Sequence, residues 1–186
     1  MGISSLSALV AAVRAIDPDE YGPPNIGRML VELQLSPSEV APYVLFEPDR
    51  YTRNLIFRNA NFEVLILCWA AGVASPVHDH AGQRCWFSAI EGAFDVDEYR
   101  RLSGGRHEGY ARLEQTGTLL GIRTGQPDYR YGENDIHRVA TAANQGPAVS
   151  LHVYARPFST CLVYDCERDR CMRRELSYDT VGLMLA

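Results

Sequence analysis

Residues 62–92 read FEVLILCWAAGVASPVHDHAGQRCWFSAIEG. Phe62–Trp69 is a continuous apolar run of strand length, and Cys85–Ile90 is a second. Between them Gly72 and Pro76 punctuate the chain, and His78-Asp79-His80 follows at the mouth of a strand. Residues i and i+2 of a strand share a face, so His78 and His80 point the same way. Two imidazoles converging on one point make half of a metal site. A third from a neighbouring strand would close it, and His137, opening the apolar run His137-Arg138-Val139, is the candidate.

Outward from this stretch the texture continues. Asn54–Phe57, Ala93–Arg100, Thr118–Arg123, His137–Ala142 and Ala148–Ala155 also read as strands. Gly104-Gly105, Gly125-Gln126-Pro127 and Asn144-Gln145-Gly146-Pro147 mark turns. Many short strands at roughly even spacing predict a mainly β fold, a barrel or a sandwich. The first 45 residues differ. Leu6, Leu9, Val10, Val13 and Ile16 recur at helical spacing until Asp17-Pro18, and Ile26, Met29, Leu30 and Leu33 suggest a second helix. Ser36-Pro37-Ser38-Glu39 reads as a capping box with Pro at the first helical position of a third. These helices are expected to cover a sheet edge. Residues 166–178, mixing Arg, Asp and Glu, read as a solvated face or a last hairpin. No repeat or dividing linker interrupts the chain. A single domain over residues 1–186 is therefore expected, with a helical cover over 1–45 and a β-barrel over 46–186.

Composition narrows the function. The chain has 186 residues, 46% hydrophobic and 22% charged, enough for a proper core without staples. Its net charge of -5 argues against nucleic acid or an anionic membrane as partner. All 18 basic residues are Arg, which excludes Schiff-base chemistry, a Lys nucleophile and a phosphate-loop Lys. There is no apolar run of membrane-spanning length and no basic start of a secretory leader. A cytoplasmic protein, monomeric and with reduced thiols, is expected. Of the five Cys, Cys166 and Cys171 are expected to be free thiols, and Cys161 a pocket-lining one. Trp69 and Trp86 are expected in the core or barrel wall, and His107 at an exposed hairpin tip after Gly104-Gly105-Arg106.

The spacing Gly72, five residues, His78-Asp79-His80, four residues, Cys85, six residues, Gly92 resembles the first cupin motif, with Cys85 where that motif normally has Glu. His137 stands where the second motif supplies its His, although Asn134 replaces a usual Gly there. The resemblance implies a jelly-roll-like cupin β-barrel. Three neutral imidazoles would leave an Fe(II) site at net charge +2, where two His and a carboxylate would leave +1. Richer positive charge favours an anionic ligand, and a thiolate suits it because metal coordination deprotonates a thiol.

Four segments, in order, then resemble the cysteine dioxygenase family. They are Tyr51-Thr52-Arg53-Asn54-Leu55, His78-Asp79-His80 with Cys85, His137-Arg138-Val139, and Ser150-Leu151-His152-Val153-Tyr154 followed by Pro157-Phe158 and Thr160-Cys161. The resemblance covers roughly residues 45–166. It implies that His78, His80 and His137 bind Fe(II), and that Arg53 holds a substrate carboxylate by a charge-assisted fork. Tyr51, at i, i+2 from Arg53, would line the same pocket. Ser150, His152 and Tyr154 alternate onto one face, and in the family such a relay orients the Tyr hydroxyl toward the substrate. Cys85 is similar to the family Cys that forms a thioether with that Tyr, so a Cys85–Tyr154 cross-link is expected.

The reading is an Fe(II)-dependent thiol dioxygenase that takes L-cysteine and O2 to cysteine sulfinic acid. Relatives that oxidise 3-mercaptopropionate typically replace the clamp Arg with Gln, so Arg53 favours cysteine, with 3-mercaptopropionate or another carboxylated thiol as the alternative. A non-catalytic cupin acting as a metal, small-ligand or redox sensor is an alternative of another class, against which the Arg53 clamp and the relay argue. A cupin enzyme with a different metal, such as an isomerase, is a third reading, and the missing Glu at Cys85 speaks against it.

Overall fold

The computed structural model describes residues 2–182. Three short α-helices, α1 (Leu6–Arg14), α2 (Arg28–Val31) and α3 (Pro37–Val40), precede the strands. The strands are β1 (Thr52–Arg58), β2 (Phe62–Trp69), β3 (Val77–His78), β4 (Arg84–Glu91), β5 (Phe94–Gly104) and β6 (Gly109–Ile122). They continue as β7 (Asp128–Arg130), β8 (Ile136–Thr141), β9 (Ala148–Ala155), β10 (Thr160–Asp165), β11 (Arg170–Glu175) and β12 (Thr180–Val181). One sheet runs β12-β1-β2-β9-β4-β7. The other six strands close on themselves in the order β10-β11-β6-β5-β8-β3. Residues 166–178 thus contain the turn and second strand of a hairpin, β10–β11, the second of the two forms expected of them.

The central strands of the first sheet are buried on both faces, which explains their apolar composition. On β2, Phe62, Val64, Ile66 and Cys68 pack with the helices, while Leu65, Leu67 and Trp69 enter the interior between the sheets. On β9 the same alternation sends Val149, Leu151, Val153 and Ala155 to the helices. Ala148, Ser150, His152 and Tyr154 are left for the other face. Burying a Val- or Leu-sized side chain stabilises by about 1.5–3 kcal/mol. The helix-side cluster, to which Leu6, Leu9, Val13, Ile26 and Leu30 contribute, is therefore a large part of what holds this sheet.

Three expectations are corrected here. The helices cover a face of the sheet rather than an edge, because β2 and β9 lie at its centre and their outward residues need a cover. The second helix is regular only over Arg28–Val31; Pro23-Pro24 open the segment as a wider π-type turn. The capping box does not close. Ser36 Oγ bonds Ser38 Oγ at 2.8 Å, and the Glu39 carboxylate accepts the Leu6 N–H at 3.0 Å, at the start of α1. Ser5 caps α1 from its own side by accepting the Ala8 N–H at 3.1 Å. Two of the four N–H groups that a helix start leaves open are thereby satisfied.

Gly92 links β4 to β5 at a φ of 77°, and a Cβ there would meet the Ala148 Cβ at 2.7 Å. Both the left-handed backbone and the close approach require glycine. Among the described residues no helix is long and apolar enough to cross a membrane.

Candidate functional site

The sheets bring the three histidines together. His78 on β3 pairs directly with His137 on β8, and His80 follows just beyond the end of β3. One ligand atom from each lies within 4.8 Å of the others. His80 and His137 are buried and His78 is partly so. The intervening Asp79 fixes this short segment. Its carboxylate accepts the Leu162 N–H at 3.0 Å, the Ala81 N–H at 3.2 Å and the Tyr164 hydroxyl at 3.2 Å. Asp79 therefore ties the two imidazoles that flank it to β10.

Two of the rings are held in one tautomer. His78 Nδ1–H donates to the Pro76 carbonyl at 3.0 Å, and His137 Nδ1–H donates to the Asp135 carboxylate at 3.1 Å. Each leaves its Nε2 lone pair free, the arrangement a metal-binding imidazole requires. Burial holds all three imidazoles below their usual pKa, His80 and His137 well below, and neighbouring imidazoles push those two further. Neutral, gathered and buried, the donor set fits a divalent transition metal with open coordination positions. Burial also pushes the Asp135 carboxyl up to about 6.

The same cavity is lined by Tyr51, Arg53, Cys85, His152, Tyr154 and Cys161. The Tyr51 ring stacks on Trp69 with centroids 4.6 Å apart. Arg53 on β1 is 7% exposed, and its Nε and Nη2 are buried with no hydrogen-bond partner. Buried polar groups are normally paired, so two orphaned guanidinium nitrogens beside a cavity are what a bound anion would satisfy. Glu63 on β2 lies 3.7 Å from Nη2, too far for a hydrogen bond.

On the inward face of β9 a continuous hydrogen-bond chain runs from Trp69 to Tyr154. Trp69 Nε1–H donates to Ser150 Oγ at 2.9 Å. Ser150 Oγ lies 3.0 Å from His152 Nε2, and His152 Nδ1 lies 3.2 Å from the Tyr154 hydroxyl. One assignment uses the Trp69, Ser150 and His152 donors along the chain. Ser150 O–H donates to Nε2, Nδ1–H donates to the Tyr154 oxygen, and the Tyr154 O–H is left for the cavity. Burial lowers the His152 pKa well below its usual value and raises that of Tyr154 well above, so both are neutral near pH 7. Cys85 on β4 pairs across the sheet with Tyr154, and burial raises its thiol pKa well above the ordinary value.

A sequence model described as Cysteine dioxygenase type I matches residues 8–167. The chain belongs to the cysteine dioxygenase family. It is 32% identical over 148 residues to cysteine dioxygenase type 1 of Rattus norvegicus, covering 79% of this chain and 72% of the relative. The Homo sapiens protein of the same name is 31% identical over the same coverage. Among solved structures, TT1209 from Thermus thermophilus is similar with a TM-score of 0.46 at 19% identity, over 63% of this chain and 93% of that one. The fold is mainly β, two six-stranded sheets with N-terminal helices.

The structure gathers every sequence-predicted site residue around one cavity, Ser150 standing behind it as a partner of His152. Sequence reasoning missed Asp79, Asp135, Glu63 and Arg130. Arg130 lines the cavity from β7, opposite Cys85, and is paired with Asp128 at 2.6 Å and Glu98 at 2.9 Å. Asp79 and Asp135 carried a usable signal, a carboxylate next to or two residues before a candidate ligand His. Arg130 and Glu63 carried none, because Arg130 sits on a three-residue strand too short to show a pattern and Tyr178, which donates to Glu63, is distant in sequence. His107 is exposed between β5 and β6, and the five Cys are free thiols with Cys166 exposed and Cys171 buried. Trp86 is a core residue beneath the helices, whereas Trp69 both packs in the interior and anchors Ser150.

Proposed function

We propose that this chain is an Fe(II)-dependent thiol dioxygenase that oxidises L-cysteine with O2 to cysteine sulfinic acid. The observation that carries the reading is the orphaned edge of Arg53 on the cavity that also holds the three imidazoles. A small molecule with a carboxylate at one end and a metal-binding thiol at the other spans the two. Family membership supports thiol dioxygenation as the chemistry.

His78, His80 and His137 would hold the iron. When bound, it supplies coordination of the substrate thiolate and the electron chemistry that lets ground-state dioxygen react with sulfur. The protein does the rest. Arg53 fixes the carboxylate through a planar fork, so the sulfur is carried in one orientation. Tyr154, protonated and held by His152 and Ser150, presents its hydroxyl to the reacting end of the substrate. Such a preorganised donor stabilises charge developing on oxygen. Apolar walls from Leu67, Val139 and Phe158 limit water around it.

Cys85 and Tyr154, direct cross-strand partners, are also proposed to form a thioether. The bond joins Sγ to a phenol ring carbon as the S–H and a ring C–H bond break, and O2 takes the two hydrogens and is reduced to H2O2. Intact mass should show a species lighter by two hydrogens that accumulates with turnover. Its complete absence after extensive turnover refutes the cross-link.

The function is tested by oxygen uptake of Fe(II)-loaded protein with L-cysteine and 3-mercaptopropionate in parallel, products identified by mass. One O2 consumed per cysteine sulfinate formed supports the reading. Faster turnover of the deaminated thiol keeps the chemistry and overturns the substrate. No uptake with either, at stoichiometric iron, favours the non-catalytic cupin.

A further inference from the structure

The Arg53 side chain is held by a segment that lies beyond the family match. That match ends at residue 167, yet residues 176–182 return to the cavity. Leu176 lines it. Strand β12 pairs in parallel with β1, Thr180 against Asn54 and Val181 against Leu55. Immediately before it, Asp179 brackets the backbone of Arg53. Its N–H donates to the Arg53 carbonyl at 2.8 Å, and its carboxylate accepts the Arg53 N–H at 2.8 Å. The side chain is bracketed as well. The Tyr178 hydroxyl donates to Glu63, which is fully buried and lies 3.7 Å from Arg53 Nη2. The Tyr178 ring centroid is 5.9 Å from the Arg53 guanidinium carbon.

These contacts differ in kind from ordinary packing. Among the described residues, Glu63 is the one carboxylate within ion-pair distance of Arg53. Glu63 needs partners of its own, because an unpaired buried carboxylate costs several kcal/mol. Tyr178 and Arg58 supply them from one side, and Arg53 lies on the other. Burial pushes the Tyr178 phenol up to about 12, so it stays a donor at neutral pH. With Glu63 pinned, its charge attracts the Nη2 end of the guanidinium from 3.7 Å, beyond hydrogen-bond reach, so Nε and Nη2 stay without hydrogen-bonded partners.

We infer that Tyr178 and Glu63 are positioning residues for the substrate carboxylate: they fix Arg53 in the orientation that receives it, so that the C-terminal segment forms part of the substrate site. The inference rests on the proposed role of Arg53 as carboxylate clamp. It says that the clamp is assembled from three separate parts of the chain, β1, β2 and the stretch before β12.

The test compares ligands with and without a carboxylate. Fe(II)-loaded wild type, Tyr178→Phe and Glu63→Gln are titrated anaerobically with L-cysteine and with cysteamine, which keeps the thiol and amine but lacks the carboxylate. KM and kcat for cysteine are measured beside them. Tyr178→Phe keeps the ring and removes one hydrogen bond, so the cysteine Kd and KM should rise roughly three- to tenfold. Its kcat and the cysteamine Kd should stay within about twofold, with little change in Tm. Glu63→Gln should move the same ratio further. An equal loss for both ligands overturns the inference, since general loosening does not distinguish them. So does an unchanged cysteine Kd in a folded Tyr178→Phe protein, even where Glu63→Gln fails to fold. Wild-type protein that shows no preference for cysteine over cysteamine refutes the clamp itself, a separate failure.

Discussion

Replacing Ser150 with Ala removes one oxygen atom and breaks the chain from Trp69 to Tyr154 at its middle. Ser150 is fully buried and Trp69 and His152 nearly so. Water therefore does not readily replace the lost group. Trp69 Nε1–H, now bonded to Ser150 Oγ at 2.9 Å, is left without an acceptor, and His152 Nε2 loses the neighbour it has at 3.0 Å. An orphaned buried polar group costs about 1–3 kcal/mol, so the two together cost about 2–6 kcal/mol. For a chain of this size that lowers Tm on the order of 5–25 °C. The catalytic effect is separable. Without Ser150 O–H donating to Nε2, His152 no longer has a preferred tautomer. Its Nδ1 can then accept the Tyr154 proton, which withdraws that hydroxyl from the substrate. Losing one such bond to a charged reacting group costs about 1.5–3 kcal/mol, which lowers kcat roughly ten- to hundredfold. KM should change little, because Arg53 is untouched. Thermal melts and steady-state oxygen uptake on the same preparation read both effects. A variant with wild-type Tm and wild-type kcat refutes the assigned network.

Arg53→Gln removes the charged fork and should lower kcat/KM for L-cysteine roughly ten- to hundredfold in oxygen uptake, with a smaller loss for 3-mercaptopropionate. Asp135→Asn keeps an acceptor for His137 Nδ1–H but removes its charge. Iron affinity, measured by competition with a chelator, should fall on the order of tenfold while the fold is retained. Acid should loosen the segment before β12. The hydrogen bond from Arg50, chiefly, holds the Asp179 carboxyl below its usual pKa. Stability from Asp179 is therefore fully present above about pH 4 and is lost as pH falls through the lowered folded value. Urea midpoints across that range should fall more in wild type than in Asp179→Asn.

The parts of the fold that depend on local pattern were legible in the sequence. Phe62–Trp69 and Ala148–Ala155 coincide with β2 and β9, because strands buried on two faces are written as unbroken or alternating apolar runs. The gathering of the three histidines was legible from spacing and strand order. His78 and His80 lie two apart, and His137 lies on β8, which pairs with β3. The three-residue β7 and two-residue β12 carry no pattern long enough to read, and they hold Arg130 and the segment that brackets Arg53. Glu63 sits inside an apolar strand, where the polar residue was an oddity without an explanation until Tyr178, over a hundred residues later, reached it. The capping-box motif at Ser36 failed because a distant N–H, that of Leu6, competed for the Glu39 carboxylate. In each case a tertiary partner determined what a side chain does.

The central claim is that both atoms of one O2 molecule are added to the sulfur of a thiol held between Arg53 and the three histidines. Mass analysis of the product formed from L-cysteine under 18O2 by the Fe(II)-loaded protein tests it most directly. The account predicts cysteine sulfinic acid carrying two labelled oxygens. Sulfinate with one or no labelled oxygen, or disulfide as the sole product, would contradict it.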